Sequence, residues 1–354
     1  MNFLFDIGRY FKFRKKSNIK KDWRAVIKEN QHKTLMVIGV FIAIYLALGF
    51  LIDLFINGAF VANNFNAVFI NLLTFTLMPY ATIILTVVAI ICLLITYGYY
   101  DQVMLLGTEY YEITPKSARN LTEQQLYNVM EELKIASGMR YMPKIYLIEA
   151  NYMNAFASGY SEKSAMVAIT RGLIEKLTRE ELQAVMAHEL SHIRNADIKL
   201  TLTASVLSNL ILIILDVLFY SIIFDKDNNR KNNNAALLIL LAARYLLPLI
   251  TALLFLFLSR TREYMADAGC VELTRDNHPL ARALLKIEHD YQANVDSYEA
   301  EYGHAKHEEV RRAAYIFDPF ATNIQSVKSI TSIFSTHPAL LDRLKALGFS
   351  SKNL

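Results

Sequence analysis

The sequence predicts a mainly α-helical membrane protein with four transmembrane helices and a smaller α+β domain outside the bilayer. Three observations lead there. The 354-residue chain is 54% hydrophobic, and its apolar residues come in blocks, not spread evenly as in a soluble domain. Residues 54–100 contain no Asp, Glu, Lys or Arg, and about 20 apolar residues are enough to cross the hydrocarbon core. Outside the blocks, residues 101–199 and 259–354 carry ordinary charge densities with mixed helix and strand patterns.

Residues 1–33 hold ten Lys or Arg against Asp6, Asp22 and Glu29, interleaved with Phe5, Tyr10, Phe11 and Trp23. Basic and aromatic residues together suit an anionic lipid surface; a partly ordered basic tail is the plainer alternative. Either way the segment marks the cytoplasmic face. Residues 34–100 are read as two spans, roughly Thr34–Phe55 and Phe69–Tyr97, separated by a polar dip around Asn63 and Asn64 and interrupted at Pro79. The first apolar run starts late and is long enough to span, so it is read as an anchor and not as a cleaved signal. Cys92 and Cys270 form no disulfide framework. A net charge of +4 gives no reason to expect nucleic acid as a partner.

In residues 101–199 a helix is expected over Leu121–Ala136, capped at Thr122, with strands at Lys144–Glu149, Met153–Ser158 and Ala165–Thr170. The Thr178–Glu181 capping box opens a helix that no Pro or Gly interrupts from Arg179 to Phe224. Residues 200–258 form a transmembrane hairpin. Its third span is Leu200–Phe224, its turn is polar, and its fourth span is Ala235–Leu258, where Arg244 is expected to pair with Asp216. Residues 259–354 read as a mostly helical part of the soluble domain.

His188-Glu-Leu-Ser-His192 is an HExxH motif on a helix. Histidines four apart share one helical face, so both imidazoles can reach one ion. Glu189, one step around, is placed to take a proton from the water that the ion activates and to return it to a leaving amine. A catalytic zinc usually has three protein ligands. The third span leaves the soluble face and the fourth returns to it, so residues just before one and just after the other meet. His192 lies roughly 12 Å and Glu263 roughly 8 Å from the respective span ends along a helix. Glu263 is thus the candidate third ligand, with Asp267 on the same face as acceptor for the second N–H of a ligand histidine. A solvated helix face paired with Arg260 and Arg262 is the competing reading.

The HExxH block ahead of a membrane hairpin, followed by Ser259-Arg-Thr-Arg-Glu263-Tyr-Met-Ala-Asp267, resembles the HtpX family of membrane zinc metalloproteases, which is related to the CAAX prenyl protease. The resemblance covers nearly the whole chain. It implies a zincin-like α+β domain, one Zn2+ per chain held by His188, His192 and Glu263, and Asp267 in support. Asn154-Ala-Phe-Ala157 is similar to the family segment whose Asn binds the substrate backbone, and the strand Ala165–Thr170 would offer an edge to an extended peptide. Thr336-His337-Pro338 and Arg343 resemble the family's C-terminal block, where a donor could stabilise an oxyanion. In that reading His337 joins Glu189 in catalysis, and Arg343 contacts substrate.

The resemblance also implies polypeptide substrates, namely misfolded or damaged membrane proteins cut on the cytoplasmic side of the inner membrane as quality control under stress. Two rivals stand beside it. A membrane scaffold that has lost catalysis would have no need of Glu189 between the two histidines. A prenyl-protein processing enzyme would need more than four spans to build a large intramembrane chamber.

Overall fold

The computed structural model describes residues 23–58, 64–224, 241, 242, 244, 246, 262–304, 314–317 and 338–349. Most of the basic N-terminal segment, nearly all of the expected fourth span and His337 lie outside the described residues. The described chain is mostly helical. Three of its helices are long and apolar enough to cross a membrane, at His32–Ile56, Tyr80–Gly98 and Ile198–Val217.

The first of these belongs to α1 (Trp23–Ile56). A short α2 (Phe65–Leu73) follows, and α3 (Tyr80–Gly98) begins directly after Pro79. The second span therefore starts at Tyr80, not at Phe69: the chain turns through Thr74–Pro79, and Pro79 precedes the new helix as a residue that cannot continue the old one. Val37, Phe41, Tyr45 and Leu48 recur every three or four residues on α1. They pack against Leu200, Ala204, Leu207, Ile211 and Leu215 at the same spacing on α8 (Ile198–Phe224), with Ala89 of α3. Gly49 lets α1 and α3 touch, because a side chain there would run into the Thr82 backbone. The buried Asp53 then accepts from Ala81 N–H, Thr82 N–H and the Thr82 hydroxyl at 2.7–2.9 Å, capping α3 from its neighbour. Ile83, Ile84, Val87, Ile90, Ile91 and Leu94 remain exposed, an apolar face suited to lipid. Arg244 reaches Asp216 at 2.9 Å.

After the short α4 (Tyr100–Leu105), the soluble domain is built on a four-stranded sheet in the order β1-β2-β4-β3. The strands are β1 (Tyr110–Ile113), β2 (Lys144–Ile148), β3 (Ala155–Ser158) and β4 (Met166–Thr170). β2 and β4 are parallel, and the other two pairs are antiparallel. The strand at 166–170 thus has neighbours on both sides and offers no edge; β3 is the outer strand. Ile145, Leu147, Val167 and Ile169 face the helices α5 (Leu121–Ser137), α6 (Arg171–Lys176) and α7 (Arg179–Arg194). Tyr146, Ile148, Met166 and Ala168 face an aromatic layer that includes Tyr100, Tyr291 and Tyr315. Both faces are covered, as central strands without polar alternation require.

The cap of α5 is Asn120, whose side chain accepts from Glu123 N–H, and not Thr122. Glu123 is fully buried and accepts from the Arg119 N–H, the Tyr111 hydroxyl and Arg171 at 2.7–3.2 Å. Burial alone would raise its pKa, but these donors outweigh it and hold the carboxyl below its ordinary value. Such a group stabilises the fold above the ordinary value of 4.5 and stops doing so as pH falls through its lower folded value. Glu123→Ala is expected to cost about 3 kcal/mol at neutral pH. Thermal unfolding in detergent should show a lower midpoint for the variant, with the gap closing in acid.

The C-terminal part adds a helix over residues 262–274 (α9), α10 (His278–Ala293), α11 (Val295–His304) and α12 (Leu340–Ala346). α10 packs on α7 and on α12.

Candidate metal centre

α7 is fixed at its start by the expected capping box: Glu181 N–H donates to Thr178 Oγ at 3.3 Å, and Thr178 N–H donates to Glu181 Oε2 at 3.0 Å. The helix does not run on to residue 224. It ends at Arg194, Asn195 closes it, Ala196 adopts φ 56°, and α8 restarts at Ile198. A left-handed alanine costs about 1 kcal/mol, and the break has a clear return. It turns the Asp197 carboxylate back onto His192 Nδ1 at 3.0 and 3.1 Å. Asp197 is 1% exposed. Sequence reasoning missed this residue because no Gly or Pro marks the break.

The helix over 262–274 lies against α7 at Gly269, where a Cβ would come within 2.5 Å of Ser191 Oγ. Only a residue without a side chain allows this approach. At its start Arg262 donates to Thr201 Oγ, joining the foot of this helix to the foot of α8. Glu263 then stands 3.6 Å from His188 Nε2 and 3.7 Å from His192 Nε2. Glu263 and Asp267 are 2% and 1% exposed, which is not the burial of a solvated helix face.

Asp267 Oδ1 lies 3.0 Å from His188 Nδ1. Each imidazole thus has its Nδ1 beside a carboxylate, His192 in a hydrogen bond to Asp197 and His188 in ion-pair contact with Asp267. An Nδ1–H donated to a carboxylate leaves Nε2 as a lone pair. The two Nε2 atoms face each other at 3.2 Å. Two acceptors that close repel unless a proton or a cation stands between them.

Charge points the same way. Glu189, Glu263, Asp267 and Asp197 bring four carboxyl groups to one buried place, where Arg343 sets a guanidinium against them. Burial opposes a charged His188, yet its contacts with Asp267 and Glu263 outweigh that and push its pKa up to about 9. A site that draws protons onto a histidine is one that favours a cation. His188, His192 and Glu263 offer three ligand atoms within 4.8 Å of one another and could hold a metal ion. Asp197→Ala is expected to weaken metal binding about 10–100-fold, read as the chelator concentration that strips half the metal.

Glu189 is 1% exposed, and neither carboxylate oxygen has a hydrogen-bond partner among the described residues. Burial, only partly offset by the two histidines, raises its pKa above the usual carboxylate range. Arg343, 2% exposed, donates to both oxygens of Asp267 at 3.0 and 2.6 Å and to the Ile316 carbonyl at 3.1 Å. Asp267 is pulled in opposite senses, upward by burial and more strongly downward by Arg343 and His188, so its carboxyl lies below the ordinary range. Asn154, fully buried on the loop into β3, donates from Nδ2 to the Phe317 carbonyl at 3.0 Å and accepts from Ala155 N–H. The site therefore gathers His188, Glu189, His192, Glu263, Asp267 and Arg343 around α7, with Asn154 at the neighbouring sheet edge.

Residues 120–349 match the model of peptidase family M48. A protease HtpX homolog of Helicobacter pylori is 38% identical over 327 residues, covering 92% of this chain and 98% of that protein. The corresponding Helicobacter acinonychis protein is 37% identical over the same length, and one from Listeria monocytogenes is 35% identical over 266 residues, 71% of this chain and 83% of its own. Among solved structures, S. mikatae Ste24p is similar at a TM-score of 0.44 and 20% identity, over 78% of this chain and 59% of that one. With the HExxH helix and its ligand cluster in place, the chain belongs to peptidase family M48, as an HtpX-type metalloprotease.

Proposed function

We propose that this protein is a zinc endopeptidase of the inner membrane that cuts exposed segments of misfolded or damaged membrane proteins on the cytoplasmic side. The observation that carries the reading is the pair of Nε2 atoms meeting at 3.2 Å, each backed by a carboxylate, with Glu263 beside them. Two histidines and a glutamate form a donor set that suits zinc. When bound, the ion would polarise the scissile carbonyl and make a water molecule acidic near neutral pH.

The chain's own residues supply the rest. Asp267 and Asp197 hold the imidazoles in the tautomer that presents Nε2. Glu189, buried and without a competing hydrogen bond among the described residues, accepts the proton of the attacking water and passes it to the amine that leaves. Arg343 locks Asp267 in place and keeps it ionised. The outer edge of β3 is where an extended peptide would add as a further strand, with Asn154 at its start. His337 would act from the C-terminal block, next to Pro338. The basic residues 1–33 favour the cytoplasmic side for the domain.

The test is cleavage in proteoliposomes of a membrane protein carrying an unfolded loop. The expected product arises only when that loop lies on the same face as the soluble domain and only with zinc present. Equal cleavage of loops on either face would contradict the sidedness, and cleavage of folded substrates at the same rate would contradict the substrate class.

A further inference from the structure

The outer edge of β3 is already taken by the chain itself. Tyr315 pairs antiparallel with Phe156, and Ile316 N–H donates to the Ala155 carbonyl at 2.9 Å. The next carbonyl, of Phe317, accepts from Asn154 Nδ2 at 3.0 Å, and that of Ile316 accepts from Arg343 Nη1 at 3.1 Å. The same Arg343 nitrogen is 3.8 Å from Glu263 Oε2. Residues 315–317 thus meet the edge strand through one antiparallel bridge at Tyr315 and then bend away, and the Arg343 guanidinium links their backbone to the proposed ligand Glu263. Side chains anchor the segment: Tyr315 and Ile316 are 1% and 2% exposed, and the Tyr315 ring meets Phe156 edge-on at 5.5 Å.

A peptide that adds to β3 would need the Ala155 carbonyl as acceptor and the Asn154 amide as donor. Both are spent on this segment. We propose that residues 314–317 are a built-in competitor for the substrate strand, and that substrate binds by strand exchange, displacing them from the edge of β3. The inference rests on the peptidase reading above. The resting enzyme is then self-restrained: only a chain already unfolded, offering a free extended stretch, competes well for the edge. Displacement also frees Arg343 Nη1 next to Glu263, coupling edge occupancy to the metal centre. The fraction of molecules with the edge open sets apparent substrate affinity, so weakening the segment lowers KM without altering the chemical step.

Hydrogen exchange tests this on the zinc-loaded Glu189→Gln chain, which keeps the segment intact and does not cut. Addition of a saturating unstructured peptide is expected to speed exchange of the Tyr315–Phe317 amides at least tenfold while amides of β3 stay protected. Binding of the peptide with those amides as protected as before would overturn the proposal and leave the peptidase reading standing. Failure of any peptide to bind would overturn both. A second measurement uses Ile316→Pro, which removes the N–H donated to Ala155. KM for the same peptide is expected to fall roughly tenfold, with kcat within a factor of two. A raised or unchanged KM at wild-type stability would show that the segment is a fixed fifth strand.

Discussion

Glu189→Gln lowers the cleavage rate by about 10²–10⁴-fold while leaving the bound metal in place. Glutamine keeps the shape of the side chain and cannot take up the proton. The wild-type carboxylate is suited to that task by what surrounds it: both oxygens are buried and have no hydrogen-bond partner among the described residues, and burial moves the pKa upward, toward the pH at which a base is effective. Initial rates on a quenched fluorescent peptide, set beside metal content per chain, give the answer. A variant that cuts at close to the wild-type rate would remove Glu189 from the chemistry; one that loses its metal would show that it supports the site instead.

Glu263→Ala removes one of the three proposed ligands, and metal content after dialysis should fall from one ion per chain to less than about a tenth, with activity falling in parallel. Asp267→Ala gives a contrasting result, because its Oδ1 lies on the Nδ1 side of His188, away from the meeting point of the Nε2 atoms. Loss of such a supporting carboxylate weakens metal binding by about 10–100-fold and leaves a site that excess zinc refills. Elemental analysis of the two variants at low and high zinc distinguishes these roles. If Asp267→Ala proved irreparable and Glu263→Ala refilled, the two assignments would have to be exchanged.

Much of the molecule was legible because its signals are local and strong. A run of 47 uncharged residues, 54–100, and the HExxH spacing need no tertiary information. Glu263 was reachable by one topological step, from the expectation that a fourth span returns the chain to the face the third one leaves. The signals that failed were nonlocal or weak. Strand order placed β4 in the interior of the sheet, and no periodicity within 166–170 reveals which side its neighbours occupy. The break at 195–197 rests on a left-handed alanine, a conformation that sequence does not advertise, and Asp197 escaped notice with it. The bidentate grip of Arg343 on Asp267 joins residues 76 apart through α9 and α12, a pairing that no local pattern shows.

The central claim is that His188, His192 and Glu263 hold one zinc ion and that peptide hydrolysis depends on it. The most direct test is to strip the detergent-purified chain with a chelator and titrate zinc back while following cleavage of an unstructured protein. Zinc-dependent hydrolysis at this site means no cleavage when stripped and full recovery at one zinc per chain, with no recovery in Glu189→Gln. Undiminished cleavage by the fully stripped chain would contradict it.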